Sequence, residues 1–173
     1  MRAVAILALA LAAPASFAYE LNGVAIGGDE AAVKKAFPSA YCKPLEWVST
    51  ASDRRCDDAR ISVAGVPARV TVYLKAGAIE ALSVRFDTRD RERVVAHLKA
   101  RWGAPSGEKN ETVARKGKDG KDKDGKDKED RKVYKLNWEK GAERALLTAQ
   151  SDRKRMALDI WRGNFIDEIY KVR

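Results

Sequence analysis

Two cysteines and one histidine are the residues of this chain best suited to covalent or metal chemistry. Zinc sites need four nitrogen or sulfur ligands, and Cys42, Cys56 and the distant His97 do not supply them. We therefore predict no metal site. An even number of cysteines favours a disulfide between Cys42 and Cys56 if the compartment is oxidising, with free thiols as the alternative. The closed loop of about 15 residues would contribute roughly 3 kcal/mol to stability.

Catalytic sets are poorly supported by the remaining residues. A serine or cysteine nucleophile would have to use His97, which lies away from the apolar stripe of its predicted helix. Adjacent carboxylates occur at Asp57-Asp58 and Asp167-Glu168, but acidic pairs are common on surfaces. The chain contains no P-loop and no G-x-G-x-x-G motif. We expect a protein that is not an enzyme and needs no cofactor, with a hydrolase as the third alternative.

A group of basic and aromatic residues lies in and beside the segment that the cysteines would close. Lys43, Trp47, Arg54 and Arg55 are neighbours in sequence there. A loop fixed by a disulfide and carrying one tryptophan can act as a recognition surface. The alternative is that Trp47 covers the edge of a sheet while the arginines are solvated.

The first 18 residues have the three parts of a secretory signal peptide. Arg2 is followed by an apolar run at 3–13 and by the small residues Ser16 and Ala18. The apolar run is too short to cross a bilayer, which takes about 20 residues, and no later segment is apolar enough to do so. The residue directly after the predicted cleavage site is Tyr19, not a cysteine that could be lipidated. We predict cleavage after Ala18 and a periplasmic or secreted protein, with an uncleaved anchor as the alternative.

The charge balance of the chain is basic, with 34 Lys and Arg against 25 Asp and Glu, a net charge of +9. A positive surface attracts polyanions in a salt-sensitive manner. Export makes nucleic acid an improbable partner, and an anionic envelope polymer suits the compartment better. The basic surface therefore gives a second functional hypothesis, the binding of such a polymer.

The hydrophobic periodicity predicts short helices separated by antiparallel strands. Residues 29–37 form one helix, with Asp29 as its N-cap and Pro38 as its stop. Residues 89–102 form a second, amphipathic helix. Between them, apolar and polar residues alternate with a period of two, as in half-buried strands. Alternation resumes after residue 132, and a short helix follows Asn164.

An internal similarity suggests a duplicated architecture. The segments 74–82 and 138–146 share a Gly-Ala turn at an offset of 64 positions. We predict an α+β fold of two tandem repeats, each a short helix followed by an antiparallel β-meander with the helix packed on the sheet. The first repeat would occupy 19–88 and carry the cystine loop, and the second would occupy 89–173.

A low-complexity segment interrupts the second repeat. Residues 116–132 are a near repeat of Gly-Lys-Asp with no apolar side chain. Such a segment cannot bury a core, so we predict a disordered charged loop over 110–132. The EF-hand pattern fails here, because Arg131 would stand where a glutamate is needed.

The helix and meander pattern resembles that of small bacterial envelope proteins. Val33, Phe37 and Pro38, and then Leu98 and 103–105, each precede a meander, as in BamE/SmpA-type outer-membrane-assembly subunits and in β-lactamase inhibitory proteins. The resemblance implies a non-catalytic binding role. This chain differs from the BamE/SmpA type in lacking a lipidatable cysteine. We therefore expect an exported protein that binds another envelope protein.

Overall fold

The computed structural model describes residues 19–114 and 130–171. The predicted signal peptide at 1–18 and most of the predicted charged loop lie outside the described residues. The described part forms three α-helices and ten β-strands. The helices are α1 (Glu30–Ala36), α2 (Arg91–Trp102) and α3 (Phe165–Glu168). The strands are β1 (Glu20–Leu21), β2 (Val24–Ala25), β3 (Tyr41–Pro44), β4 (Arg54–Val63), β5 (Val66–Lys75), β6 (Ala78–Asp87), β7 (Gly107–Val113), β8 (Arg131–Lys140), β9 (Glu143–Gln150) and β10 (Arg155–Arg162).

Eight of these strands form one continuous antiparallel sheet. Its order is β3-β4-β5-β6-β10-β9-β8-β7, and β1 pairs with β2 in a separate hairpin. The two halves of the chain meet where β6 pairs with β10, over a register that runs from Arg155 opposite Asp87 to Trp161 opposite Ala81. That pairing leaves only β3 and β7 as the edges of the sheet.

The predicted fold class is wrong. The structure is predominantly an antiparallel β protein with one eight-stranded sheet, and it is not an α+β fold of two tandem helix-plus-meander repeats. The strands of 19–88 and of 89–173 share backbone hydrogen bonds in one sheet. Pairing β6 with β10 satisfies backbone groups that two separate sheets would expose at their edges. The Gly-Ala turns that suggested a repeat are features of any chain with several tight hairpins.

The helix-covered face of the sheet carries the main hydrophobic core. Val33 and Phe37 of the α1 region and Val94 and Leu98 of α2 pack there, against the apolar side chains that alternate along the strands. Strands β5, β6, β8, β9 and β10 supply most of those apolar side chains. Burying one face of the sheet in this way leaves the opposite face available for other contacts.

Local residue chemistry sets the ends of the two longer helices. The Asp29 carboxylate accepts a hydrogen bond from the Ala32 backbone N–H at 2.8 Å, as the N-cap prediction requires. Helix α2 ends at Gly103, whose φ of 83° is readily adopted only by glycine. The Gly103 N–H bonds back to the Lys99 carbonyl.

The predicted charged loop at 110–132 begins and ends inside paired strands. Residues 110–113 belong to β7 and residues 131–132 to β8, with Val113 opposite Arg131. The Gly-Lys-Asp segment at 115–129 lies outside the described residues. The sequence pattern therefore missed β7, which contains few apolar residues.

The structure confirms the disulfide between Cys42 and Cys56. The two residues are directly opposite each other on β3 and β4. No helix in the described ranges combines the length and the apolar composition that a bilayer crossing requires.

Candidate binding site

The face of the sheet opposite α1 and α2 is lined mainly by polar and small side chains, and we call it the open face. Across its centre, strand pairing aligns one residue from each successive strand. The hydroxyl of Thr71 donates to Asp57 at 2.7 Å, and that of Ser83 donates to Asp159 at 2.5 Å. The row runs through Asp57, Thr71, Ser83, Asp159 and Leu146. These hydrogen bonds satisfy the two carboxylates within the sheet.

One end of the open face is covered by α3 and by the loop at 45–53. The indole N–H of Trp47 donates to the carbonyl of Ile169 at 2.8 Å. The Trp47 ring stacks on Tyr170 with 5.6 Å between ring centroids. Phe165 packs on Tyr73 at 5.4 Å, and together with Ile169 it forms a small second core with the sheet. The loop and α3 therefore hold each other in place.

A cavity of about 160 Å³ opens beneath α3, and we call it the aromatic cleft. Its walls are apolar and aromatic, whereas its floor is polar. The principal wall residues are Tyr73, Phe165, Ile166, Ile169 and Tyr170, and the floor carries Ser83, Arg85 and Asp159. Apolar walls with a few polar groups are typical of ligand-binding and protein-binding pockets.

The chemistry of the cleft floor does not extend to a catalytic triad. Ser83 and Asp159 are hydrogen-bonded, but a serine nucleophile also needs a base such as histidine. The only histidine of the chain, His97, lies on α2. That helix packs on the opposite face of the sheet, so His97 cannot reach Ser83.

Tyr73 at the wall of the cleft is largely buried. Burial raises the pKa of Tyr73 well above its ordinary value, and the nearby hydroxyl of Tyr170 raises it further. The Tyr73 phenol is therefore protonated under physiological conditions. Its hydroxyl is already hydrogen-bonded to the side chain of Tyr170.

Three of the four predicted binding residues come together, and the fourth lies elsewhere. The guanidinium of Arg55 lies over the Trp47 ring, 5.8 Å from its centroid. Lys43 and Arg55 are opposite each other on β3 and β4. Arg54 belongs to the other face, where its Nε is 2.6 Å from a Glu30 carboxylate oxygen of α1. Alternation along a strand separates the neighbouring arginines.

The basic side chains beside Trp47 are already paired with acids. Glu46 contacts Lys43 and lies 3.5 Å from Arg55, which also pairs with Asp57 at 3.0 Å. The hydrogen bond from Lys43, and then the charge of Arg55, lower the pKa of Glu46. The cystine loop therefore presents an aromatic surface with little uncompensated positive charge.

Asp57 and Asp58 are adjacent in sequence, but they do not form a carboxylate dyad. Asp57 points to the open face, whereas Asp58 is buried on the helix side and accepts a hydrogen bond from Ser39 at 2.8 Å. One group of metal-ligand residue types lies close together in the described ranges, Glu30 with Cys42 and Cys56. Its two sulfurs are bonded to each other and so offer no thiolates.

Comparison with known proteins identifies no relative: no family model matches the chain, and neither does any curated protein or solved structure. The geometry and chemistry of the cleft are therefore the basis for a functional proposal.

The sequence analysis missed most of the residues that form the aromatic cleft. Tyr73 and Trp161 stand at polar positions of alternating strands, and aromatic side chains at such positions indicate contacts on the second face of a sheet. The spacing of Phe165 to Ile169 and of Ile166 to Tyr170 predicts two apolar faces on the last helix. One of these faces covers the sheet and the other is exposed.

Proposed function

We propose that this chain is an exported, non-catalytic binding protein whose aromatic cleft and its rim engage another envelope protein. The disulfide supports an oxidising compartment, since such bonds persist outside the cytoplasm. The signal-peptide pattern at 1–18 supports export independently of the disulfide.

The observation that carries this proposal is the pair of exposed apolar side chains Ile166 and Tyr170 at the rim of the cleft, with exposed Val48 on the loop that covers the same end of the sheet. Val48 is 83% exposed, Tyr170 68% and Ile166 46%. These are three of the five large hydrophobic residues that are exposed in the described ranges. Val48 follows Trp47, which stacks on Tyr170, and Ile166 lies four residues before Tyr170. Apolar and aromatic side chains gathered on a rigid support are typical of interface hot spots.

The geometry favours this role over the two alternatives from the sequence. A hydrolase would need a base near Ser83 and Asp159, and His97 lies across the sheet from them. The alternative of an anionic polymer bound through the basic surface gains no support from the cystine loop, because Lys43 and Arg55 are paired with acids there. In the described part of the chain, Ile166 and Tyr170 at the rim of the cleft remain 46% and 68% exposed.

Replacing Ile166 and Tyr170 together (I166S/Y170A) is expected to weaken partner binding by at least about tenfold. Hot-spot truncations at a protein interface cost about 2 kcal/mol or more, and a factor of ten corresponds to about 1.4 kcal/mol. The measurement is retention of envelope proteins by immobilised wild-type and variant chains, at low and high salt. The matched control is Val113→Ser on the distant edge strand β7, where the side chain is 37% exposed.

The outcome depends on both the salt and the substitution. A specific interface retains its partner at high salt, loses it in the double variant and keeps it in the control. Retention that disappears with salt in all three proteins would indicate a polyanion bound by net charge. A partner retained equally by the double variant would contradict the assignment of the cleft rim.

Cleavage after Ala18 would create a charged amino terminus next to the carboxylate of Glu143. The Tyr19 nitrogen lies 3.4 Å from a Glu143 carboxylate oxygen, and the buried Tyr19 ring packs on Trp102 at 5.1 Å. A free α-ammonium there would form an ion pair with Glu143. We expect the intact mass of the exported protein to lack residues 1–18. We also expect Glu143→Gln to destabilise that mature chain by up to about 1 kcal/mol.

The control for this ion pair is a chain with two extra residues before Tyr19. There the backbone nitrogen of Tyr19 carries no charge, so Glu143→Gln should cost less than in the mature chain. Thermal unfolding of the four proteins measures the difference. An intact mass that includes residues 1–18 would refute the cleavage, and equal costs in both backgrounds would refute the ion pair.

A further inference from the structure

Three arginines on adjacent strands form a basic patch at the end of the open face away from α3. Arg69 on β5 and Arg85 on β6 are directly opposite each other. Arg155 on β10 lies two residues from Ala157, the cross-strand partner of Arg85. Alternation places all three side chains on the open face, and all three are exposed. We call them the arginine patch.

None of the three arginines forms a close ion pair with an acid in the described ranges. Ion pairs in the described ranges involve other arginines, at positions 54, 55, 89, 101 and 162. The acid nearest in register is Asp87, opposite Arg155. Arg89 binds the Asp87 carboxylate through two nitrogens at 2.9 and 3.0 Å. Hydrogen bonding to Arg89 and, to a smaller extent, the charge of Arg155 lower the pKa of Asp87 to about 2, so Asp87 stays ionised and offsets part of the charge of the patch.

This arrangement opposes the stability of the fold. Like charges directly opposite each other on neighbouring strands are destabilising, since their Cβ atoms lie about 5 Å apart. Arg69 and Arg85 have this relation. A bound anion between the two side chains would replace this repulsion with attraction and so stabilise the fold.

The shape of the patch indicates the kind of anion. The three arginines line one open, shallow cavity of about 310 Å³ together with Lys154 and Asp87. Guanidinium groups bind the oxygens of phosphate through pairs of parallel hydrogen bonds. Several guanidinium groups that line one open cavity suit an anion with three or more acceptor oxygens and a charge near −2. They suit such an anion better than they suit a single carboxylate.

The turn before Arg155 is fixed by contacts with the start of the α2 region. Thr88 donates its backbone N–H to the Lys154 carbonyl at 3.0 Å and its hydroxyl to the Arg153 carbonyl at 2.8 Å. Lys154 and Arg155 therefore project from an anchored backbone. Less conformational entropy is lost when an anion binds to a site held in this way.

We propose that Arg69, Arg85 and Arg155 form a binding site for phosphate groups, carried by a lipid headgroup or by a free phosphate compound. The site shares Arg85 with the floor of the aromatic cleft, whereas Arg69 and Arg155 lie outside the cleft. Variants of Arg69 and Arg155 therefore test the phosphate site without changing a residue of the cleft, so its failure and that of the partner proposal can be distinguished.

The test compares two double variants in calorimetric titrations with inorganic pyrophosphate at low salt. Arg69→Gln with Arg155→Gln should weaken binding at least about tenfold, because each replaced arginine removes charge-assisted hydrogen bonds. The matched control, Arg93→Gln with Arg144→Gln, removes the same charge from other exposed positions and should change affinity less than about twofold. Equal weakening in both variants would overturn the site in favour of attraction by net charge alone.

Further measurements identify the source of the phosphate group and test the repulsion between Arg69 and Arg85. Phosphatidylglycerol vesicles replace pyrophosphate in one arm, and binding with the same dependence on Arg69 and Arg155 assigns a lipid headgroup as the source. Polyglutamate binding as tightly as pyrophosphate at equal charge would overturn the phosphate assignment in favour of an acidic peptide. Without ligand, Arg85→Gln should raise the melting temperature, and a fall would contradict the repulsion on which the argument rests.

Discussion

Replacing both Cys42 and Cys56 by serine is expected to lower the free energy of unfolding by about 3 kcal/mol. The disulfide closes a loop of about 15 residues, and in the chain-entropy model most of its effect is to restrict the unfolded chain. Strand β3 has only four residues and one neighbour, so the disulfide also holds a weak edge. Urea denaturation of the oxidised wild type and of the double variant measures the difference.

The same substitution should also affect the candidate site. The loop at 45–53 is held by bonds from Leu45 to Asp53 and from Asp53 to Leu74, and by the buried hydroxyl of Ser52. These bonds remain without the disulfide, but β3 is then free to fray and Trp47 loses part of its support on α3. Reducing agent should weaken the wild type to the level of the variant and leave the variant unchanged. A difference in stability below about 0.5 kcal/mol would contradict this account.

Strands β5, β6, β8, β9 and β10 and the two longer helices could be predicted because their signals are local. Along β5, the apolar residues Val70, Val72 and Leu74 face the core, and Arg69, Thr71 and Tyr73 face the other side, as alternation predicts. The Asp29 cap acts within four residues of its partner. The pairing of β6 with β10 joins residues 68 to 80 positions apart, and no local pattern specifies it.

The candidate site escaped prediction for the same reason. Trp47 and Ile169 are 122 positions apart in sequence, and their contact exists only because α3 returns across the sheet. The arginine patch likewise depends on strand register, which places Arg69 opposite Arg85. The sequence correctly marked Trp47 and Arg55 as neighbours. It did not show that Arg55 is paired with the neighbouring acids Glu46 and Asp57.

Trp138→Ala is expected to be the most damaging single substitution in the core, with a loss of about 3–5 kcal/mol. Trp138 is 2% exposed, and its indole N–H donates to the Gly103 carbonyl at 3.0 Å. Its ring meets Trp102 edge-on at 5.5 Å, and Trp102 in turn meets Tyr19. These contacts join β8, the end of α2 and the segment that begins at Tyr19. Alanine would leave a large cavity and a carbonyl without its donor.

Trp138→Phe separates the two contributions of this side chain. Phenylalanine keeps most of the ring volume but cannot donate to Gly103, so we expect a smaller loss that reflects the hydrogen bond, about 1 kcal/mol, and the remaining gap. Urea denaturation of both variants gives the two values. A loss below about 1.5 kcal/mol for Trp138→Ala would mean that the core collapses around the missing ring. The junction of Tyr19, Trp102 and Trp138 would then not be what fixes the amino-terminal segment against the sheet.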